Sequence, residues 1–310
     1  MARKLVIDLD PGIGDALAAL LALLDPELDV LALTATPGVV SGVAATRNLQ
    51  ALVAQIDPPK WPRIGTASAS TPLIPEELSR SHCFNGPDGL GDFRGCVLEL
   101  HHPHESSKVL VDTVRAHPHQ VTLLTLGPLG NVVAACERAP DFLSLLSDLV
   151  CLGGAINAGG DVTAAAEMNM FLNPEAARIV LTSPEAKSLV PLDVTDRVIM
   201  TYEQFQRIAE APTPAAQFAK QLLPYAFRAH HQYLGMEGIW LREVVALAAV
   251  ARPKLFHLTP FPIDVETRGE LTRGMTVVER RRRQHTRAST TAAVEVDSQG
   301  VIDYLTSLLR

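Results

Sequence analysis

Asp8-Leu9-Asp10-Pro11-Gly12-Ile13-Gly14-Asp15 puts three carboxylates into one short stretch. Residues two apart on a strand share a face, so Asp8 and Asp10 are expected to point together, with Asp15 opening a helix one tight turn later. Three partly buried carboxylates would repel one another, and a divalent cation is the simplest remedy. An all-oxygen donor set selects Ca²⁺ or Mg²⁺ over zinc. The plain alternative is that Asp15 caps the helix while Asp8 and Asp10 are solvated. Gly12-Ile13-Gly14 also resembles the opening of a dinucleotide fingerprint, but Leu17 holds the third glycine position and Asp15 would face a pyrophosphate. Asp8-Leu9-Asp10 further resembles the paired aspartates of haloacid-dehalogenase-type phosphatases, where Gly-Thr rather than Pro11-Gly12 normally follows.

The elements that must position these residues alternate short apolar runs with helical patterns, the mark of βαβ units. Strands are expected at 5–8, 30–36, 121–126 and 146–152, and helices at 15–24, 43–56, 174–181 and 243–251. This gives an α/β class: an open, mostly parallel, Rossmann-like sheet with helices on both faces, in a single domain over 1–310. Such sheets place their sites at the carboxyl ends of the strands. The segment 65–107, rich in Gly, Pro and His, reads as a long functional loop. Within it, His101-His102-Pro103-His104 lacks partner ligands at metal spacing and reads as solvated loop. Arg280-Arg281-Arg282-Arg283 reads as an exposed strand end or hairpin.

With 310 residues, 47% hydrophobic and 20% charged, the chain has ordinary globular composition, and its net charge of -7 disfavours nucleic acid as a partner. Cys83, Cys96, Cys136 and Cys151 are scattered without a CxxC pair, as expected of reduced thiols. No apolar run reaches the roughly 18 residues of a membrane span, and the N-terminal residues are too short a run for a signal peptide. The expected location is the cytoplasm.

The acidic opening resembles that of the inosine–uridine type nucleoside hydrolases, and the resemblance continues in order. Thr46-Arg47-Asn48, the glycine-rich Gly86-Pro87-Asp88-Gly89-Leu90-Gly91 and Thr125-Leu126-Gly127-Pro128-Leu129-Gly130-Asn131 are similar to segments of that family. So are Leu152-Gly153-Gly154, Ala166-Glu167-Met168-Asn169, Asn173-Pro174-Glu175-Ala176-Ala177 and the stretch from Gly269 to Val278. The resemblance implies hydrolysis of the N-glycosidic bond of a ribonucleoside to ribose and free base, with Ca²⁺ as cofactor and a calcium-bound water as nucleophile. It implies Asp10 as metal ligand and general base, Asp15 and Glu243 as further ligands, and Leu126 as a ligand through its carbonyl. Asp8 would shape the cluster from behind. Glu167 and Asn169 would hold ribose hydroxyls, and Asp161 would reach the 5′ side. Tyr225, Arg228, His231 and Tyr233 fall in the segment that serves the leaving base, where His231 could protonate it, and a surface helix with a few packed aromatics fits these residues equally well. It also implies a homo-oligomer, a dimer or tetramer.

The match departs at the site itself. Gly14 stands where the family usually has a second Asp, Val39 where it has Asn, and Asn85 where the glycine-rich segment has His. Arg242-Glu243 replaces His-Asp. Arg242 stays charged near neutral pH, so it is expected to bind an anionic group or neutralise the cluster rather than act as an acid. Trp240 is placed to wall the pocket. A hydrolase with an altered base or a 5′-phosphorylated substrate fits these departures, and so does a ribose-binding relic without catalysis.

Overall fold

The computed structural model describes residues 2–68, 84–97, 103–281 and 290–310. Its strands are β1 (Arg3–Leu9), β2 (Leu28–Ala35), β3 (Arg63–Thr66), β4 (His104–Glu105), β5 (Val121–Thr125), β6 (Asp148–Leu152), β7 (Lys187–Val190), β8 (Ile199–Thr201), β9 (Gly238–Trp240), β10 (Phe256–Phe261), β11 (Ile263–Val265), β12 (Thr276–Val278) and β13 (Thr290–Val296). The helices are α1 (Ile13–Leu24), α2 (Gly42–Ile56), α3 (Ser106–Ala116), α4 (Gly130–Arg138), α5 (Met168–Leu172), α6 (Pro174–Leu181), α7 (Leu192–Thr195), α8 (Tyr202–Ala209), α9 (Pro214–Leu234), α10 (Arg242–Ala251) and α11 (Ser298–Leu309).

Among the described residues, nine strands form one sheet in the order β10-β13-β7-β6-β5-β1-β2-β3-β4, and only β10 runs antiparallel to its neighbour. The expected mostly parallel α/β sheet is what the chain builds. β1 explains why: Leu5, Ile7 and Leu9 join the apolar core on one face, Val6 joins the core on the other, and all four are fully buried. A strand covered on both faces reads as a continuous apolar run. α1, α10 and α11 cover the first face, and α3, α4 and α6 the second.

Several boundaries differ from the sequence expectation. α1 starts at Ile13, not Asp15, because Asn85 Oδ1 accepts from the Ile13 amide at 2.8 Å and Asp15 Oδ2 from the Gly12 amide at 3.1 Å. These contacts satisfy amide groups that a helix start leaves free. Residues 65–107 are not one loop: β3 ends in it, β4 pairs with Gly65–Thr66 as an edge strand, and α3 begins at Ser106. His104 therefore sits in a strand, while His101, His102 and Cys83 lie outside the described residues, as do Arg282 and Arg283. Arg281 is exposed and pairs with Glu279, and Arg280 donates to the Ile156 carbonyl and Asn157.

Candidate active site

The carboxyl ends of β1, β5, β6 and β7 open onto a cavity of about 450 Å³. The polar side chains on its floor are Asp10, Asp15, Glu167, Asn169 and Glu243, with Leu126, Leu152 and Val190 beside them. Its walls are apolar and aromatic, with Phe84, Leu223, Ala226, His230, Ile239 and Trp240. The first turns of α1 and α10 bring Asp15 and Glu243 to the floor, where the positive ends of the helix dipoles favour carboxylates.

Asp10 follows the last residue of β1, and the Val39 amide donates to its Oδ2 at 2.8 Å. The side chain is seated between two glycines. A Cβ at Gly38 would overlap its carboxylate, and a Cβ at Gly127 would come within 2.6 Å of Oδ1. Burial pushes the Asp10 carboxyl up to about 8, with the charges of Glu243 and Asp8 adding to it against the Val39 amide. Burial likewise raises Asp15 and Glu243, and at Asp15 the charges of Asp10 and Glu243 reinforce the shift. Asp15 Oδ1 is buried with no hydrogen-bond partner among the described residues.

Asp8 does not share this cavity. It lies beneath Asp10, where Thr34 Oγ1 (2.6 Å) and Asn131 Nδ2 (2.8 Å) donate to its Oδ1. Burial holds it at about 7 against those two hydrogen bonds. The expectation that Asp8 and Asp10 face one side together therefore does not carry through to a shared pocket, because the chain leaves the strand at Asp10. An enclosed Asp8 also removes the paired-aspartate arrangement that a phosphatase reading requires.

Would these residues suit a metal? Among the described residues no group of three or more His, Cys, Asp or Glu already stands in a geometry that could hold an ion. The donor chemistry nevertheless fits a hard cation: carboxylates held together at a cost, one of them with an orphaned buried oxygen.

Asn169 Nδ2 donates to the carbonyls of Leu126 (2.7 Å) and Leu152 (3.1 Å), tying α5 to the ends of β5 and β6. Glu167 Oε2 accepts from the amides of Gly154 (2.9 Å) and Met170 (3.1 Å), and burial raises its carboxyl to about 7. Arg242 is pinned by three partners. It pairs with Asp161 and with Asp196 (2.8 Å), and its guanidinium lies 4.5 Å above the Trp240 ring. Trp240 does wall the pocket. Asn85 lines it too, though its amide oxygen is used on Ile13.

His231 is not brought to the site. Its side chain is 65% exposed and faces Glu237 at 3.3 Å. The adjacent His230 lines the pocket instead, packed against Phe84 (5.0 Å) and Trp240 (5.5 Å). A helix turns about 100° per residue, so neighbours in sequence face different ways. The Ala226 carbonyl can only accept, so His230 Nδ1 carries the proton, and burial lowers this ring's pKa. Tyr225 and Arg228 serve the glycine-rich segment: Arg228 pairs with Asp92, and Gly86 and Gly91, both at positive φ, pack on Tyr225. Tyr233 packs edge-on against Phe84.

Sequence reasoning missed Asp193 and Asp196, which follow β7 as Asp10 follows β1. Asp193 accepts from the amides of Ile156, Asn157 and Ala158 and so fixes the loop after β6. The rule that sites follow strand ends could have found both.

A family model described as inosine-uridine preferring nucleoside hydrolase matches residues 5–303. The chain is 31% identical to the inosine-uridine preferring nucleoside hydrolase of Crithidia fasciculata, over 96% of this chain and 94% of that one. It is also 31% identical to the pyrimidine-specific ribonucleoside hydrolase RihA of Salmonella paratyphi B, over 100% and 99%. Among solved structures, the purine-preferring ribonucleoside hydrolase from Gardnerella vaginalis superposes with a TM-score of 0.91 at 25% identity, covering 99% of this chain and 98% of that one. Sequence, fold and pocket agree: the chain belongs to the inosine-uridine preferring nucleoside hydrolase family, a family of N-glycosidases.

Proposed function

We propose that the protein hydrolyses the N-glycosidic bond of an unphosphorylated ribonucleoside. The observation that carries this reading is the division of one cavity into a carboxylate and amide floor, suited to a ribose diol, and an aromatic wall, suited to a base. The charge balance argues against a 5′-phosphate. Arg242 is the sole Lys or Arg among the described residues that line the cavity, and Asp161 and Asp196 already hold it. A phosphate there would meet uncompensated carboxylates.

Asp10, Asp15 and Glu243, with the Leu126 carbonyl, would hold Ca²⁺, which when bound supplies Lewis acidity and fixes the ribose diol. Asp10 would take the proton of the attacking water once the bound cation has ionised its carboxyl, a role its place at the cavity floor suits. Glu167 and Asn169 orient the sugar from α5. Arg242 cannot donate a proton to the departing base and instead neutralises the acidic rim. His230 lines the pocket with its Nδ1 proton committed to the Ala226 carbonyl, so the departing base takes its proton from water.

Release of reducing sugar from purine and pyrimidine ribonucleosides and their 5′-monophosphates, with calcium and with chelator, tests this reading. We expect calcium-dependent release from a nucleoside and little from its phosphate. Binding without release would favour the ribose-binding relic, for which the captive Arg242 is the specific argument.

A further inference from the structure

Gly14 lies in the first turn of α1 and lines the pocket. Its backbone does not require glycine, because its φ is not in the left-handed region. Helix propensity alone would favour alanine there. What glycine provides is room. The Glu243 carboxylate, arriving from the first turn of α10, rests against the bare Gly14 backbone. A Cβ on residue 14 would overlap it, and even the farther oxygen, Oε1, would lie only 2.8 Å from that Cβ. α1 and α10 pack side by side, so this contact is built into the helix pair.

We propose that Gly14 is a positioning residue that acts through Glu243. The absent side chain on α1 is the seat of the carboxylate from α10, and the two residues form one unit. A carboxylate from the C-terminal half of the chain thereby takes the space that a side chain of residue 14 would fill, next to Asp15. A glutamate is needed because aspartate, one methylene shorter, would draw the carboxylate back from the seat. The same device recurs at Asp10, seated on Gly38 and Gly127. The steric unit stands on geometry alone, and its consequence for a cation rests on the proposed function above.

The test is a cycle of four proteins: wild type, Gly14→Ala, Glu243→Ala and the double variant. Melting temperature in chelator is the first readout. Alanine at residue 14 should raise it in the Glu243→Ala background, where helix propensity acts alone, and lower it in the wild-type background. Should Glu243→Ala fail to fold, Glu243→Asp serves as the second background and should likewise tolerate alanine. Calcium affinity by calorimetry is the second readout. Each single variant should lose about tenfold or more, and the double variant should bind no worse than Glu243→Ala. Equal melting shifts in both backgrounds, or affinity losses that add, would overturn the proposal. A wild type that binds no calcium would defeat the cation assignment, and the melting comparison would still decide the seat.

Discussion

Arg242 occupies a position where a titrating residue could have donated a proton, yet its guanidinium is held by Asp161, Asp196 and the Trp240 ring. Its side chain is only 19% exposed, and its Nη2 is buried with no hydrogen-bond partner among the described residues. Removing one partner of a partly exposed ion pair leaves carboxylates that water still reaches, at about 1–3 kcal/mol. Arg242→Met should therefore destabilise the protein by roughly that amount in urea titration, since two carboxylates lose their cation. Arg242→Lys keeps the charge but not the planar fork or the stacking, so it should recover less than half of the loss. A lysine variant as stable as the wild type would contradict this account. The neighbouring histidines teach a related lesson. Sequence reasoning chose His231 and passed over His230, and only the rotation of α9 separates the one in the pocket from the one in solvent.

At the scale of elements, most of the floor residues stand where a strand ends or a helix begins. Asp10 follows β1, Leu126 follows β5, Gly153 follows β6 and Asp193 lies just beyond β7. Asp193 receives three amides of the loop after β6, the loop that leads to Asp161. Asp193→Ala should loosen that loop, costing about 1–3 kcal/mol. It should also raise KM more than it lowers kcat, measurable by steady-state kinetics beside a denaturation curve. An unchanged KM would sever the loop from the site. β1, β2, β5 and β6 were legible in sequence because burial on both faces leaves continuous apolar runs, as in Leu5–Ile7, whereas the shorter β3 and β7 and the outer β10 and β13 were not read. Of the floor, Asp10 and Asp15 were legible because carboxylates gathered at one strand end demand an explanation, while Glu167, Asn169 and Glu243 were expected only through the family resemblance. The Gly14–Glu243 and Arg242–Asp196 contacts were not, since each joins residues far apart in sequence whose meeting depends on helix packing. Nor was the role of the stretch from Gly269 to Val278. Thr276 Oγ1 accepts from the Ala155 amide at 3.3 Å and Arg273 donates to the Phe171 carbonyl at 2.6 Å, bracing the loop after β6 and α5.

For the whole molecule, the acidic floor ties stability to pH. In chelator the folded chain keeps protons on Asp8 and Asp10 up to about 7 and 8, whereas the unfolded chain releases them near 3.8. The folded state therefore binds more protons across roughly pH 4 to 8, and stability falls as pH rises through that window. The slope is about 1.4 kcal/mol per pH unit for each carboxyl still holding its proton. Melting temperature in chelator should decline from pH 5 to pH 8. Calcium should restore it most at the upper end, because the ion binds the ionised carboxylates. A chelated protein that gains stability over this range would contradict the burial argument. The central claim is that Asp10 both holds the cation and activates the water. Its most direct test is to measure calcium binding and ribose release together, in the wild type and in Asp10→Asn, with the best ribonucleoside substrate. The account predicts that the variant loses calcium affinity and at least about a hundredfold in kcat. Wild-type calcium binding and turnover in Asp10→Asn would contradict it.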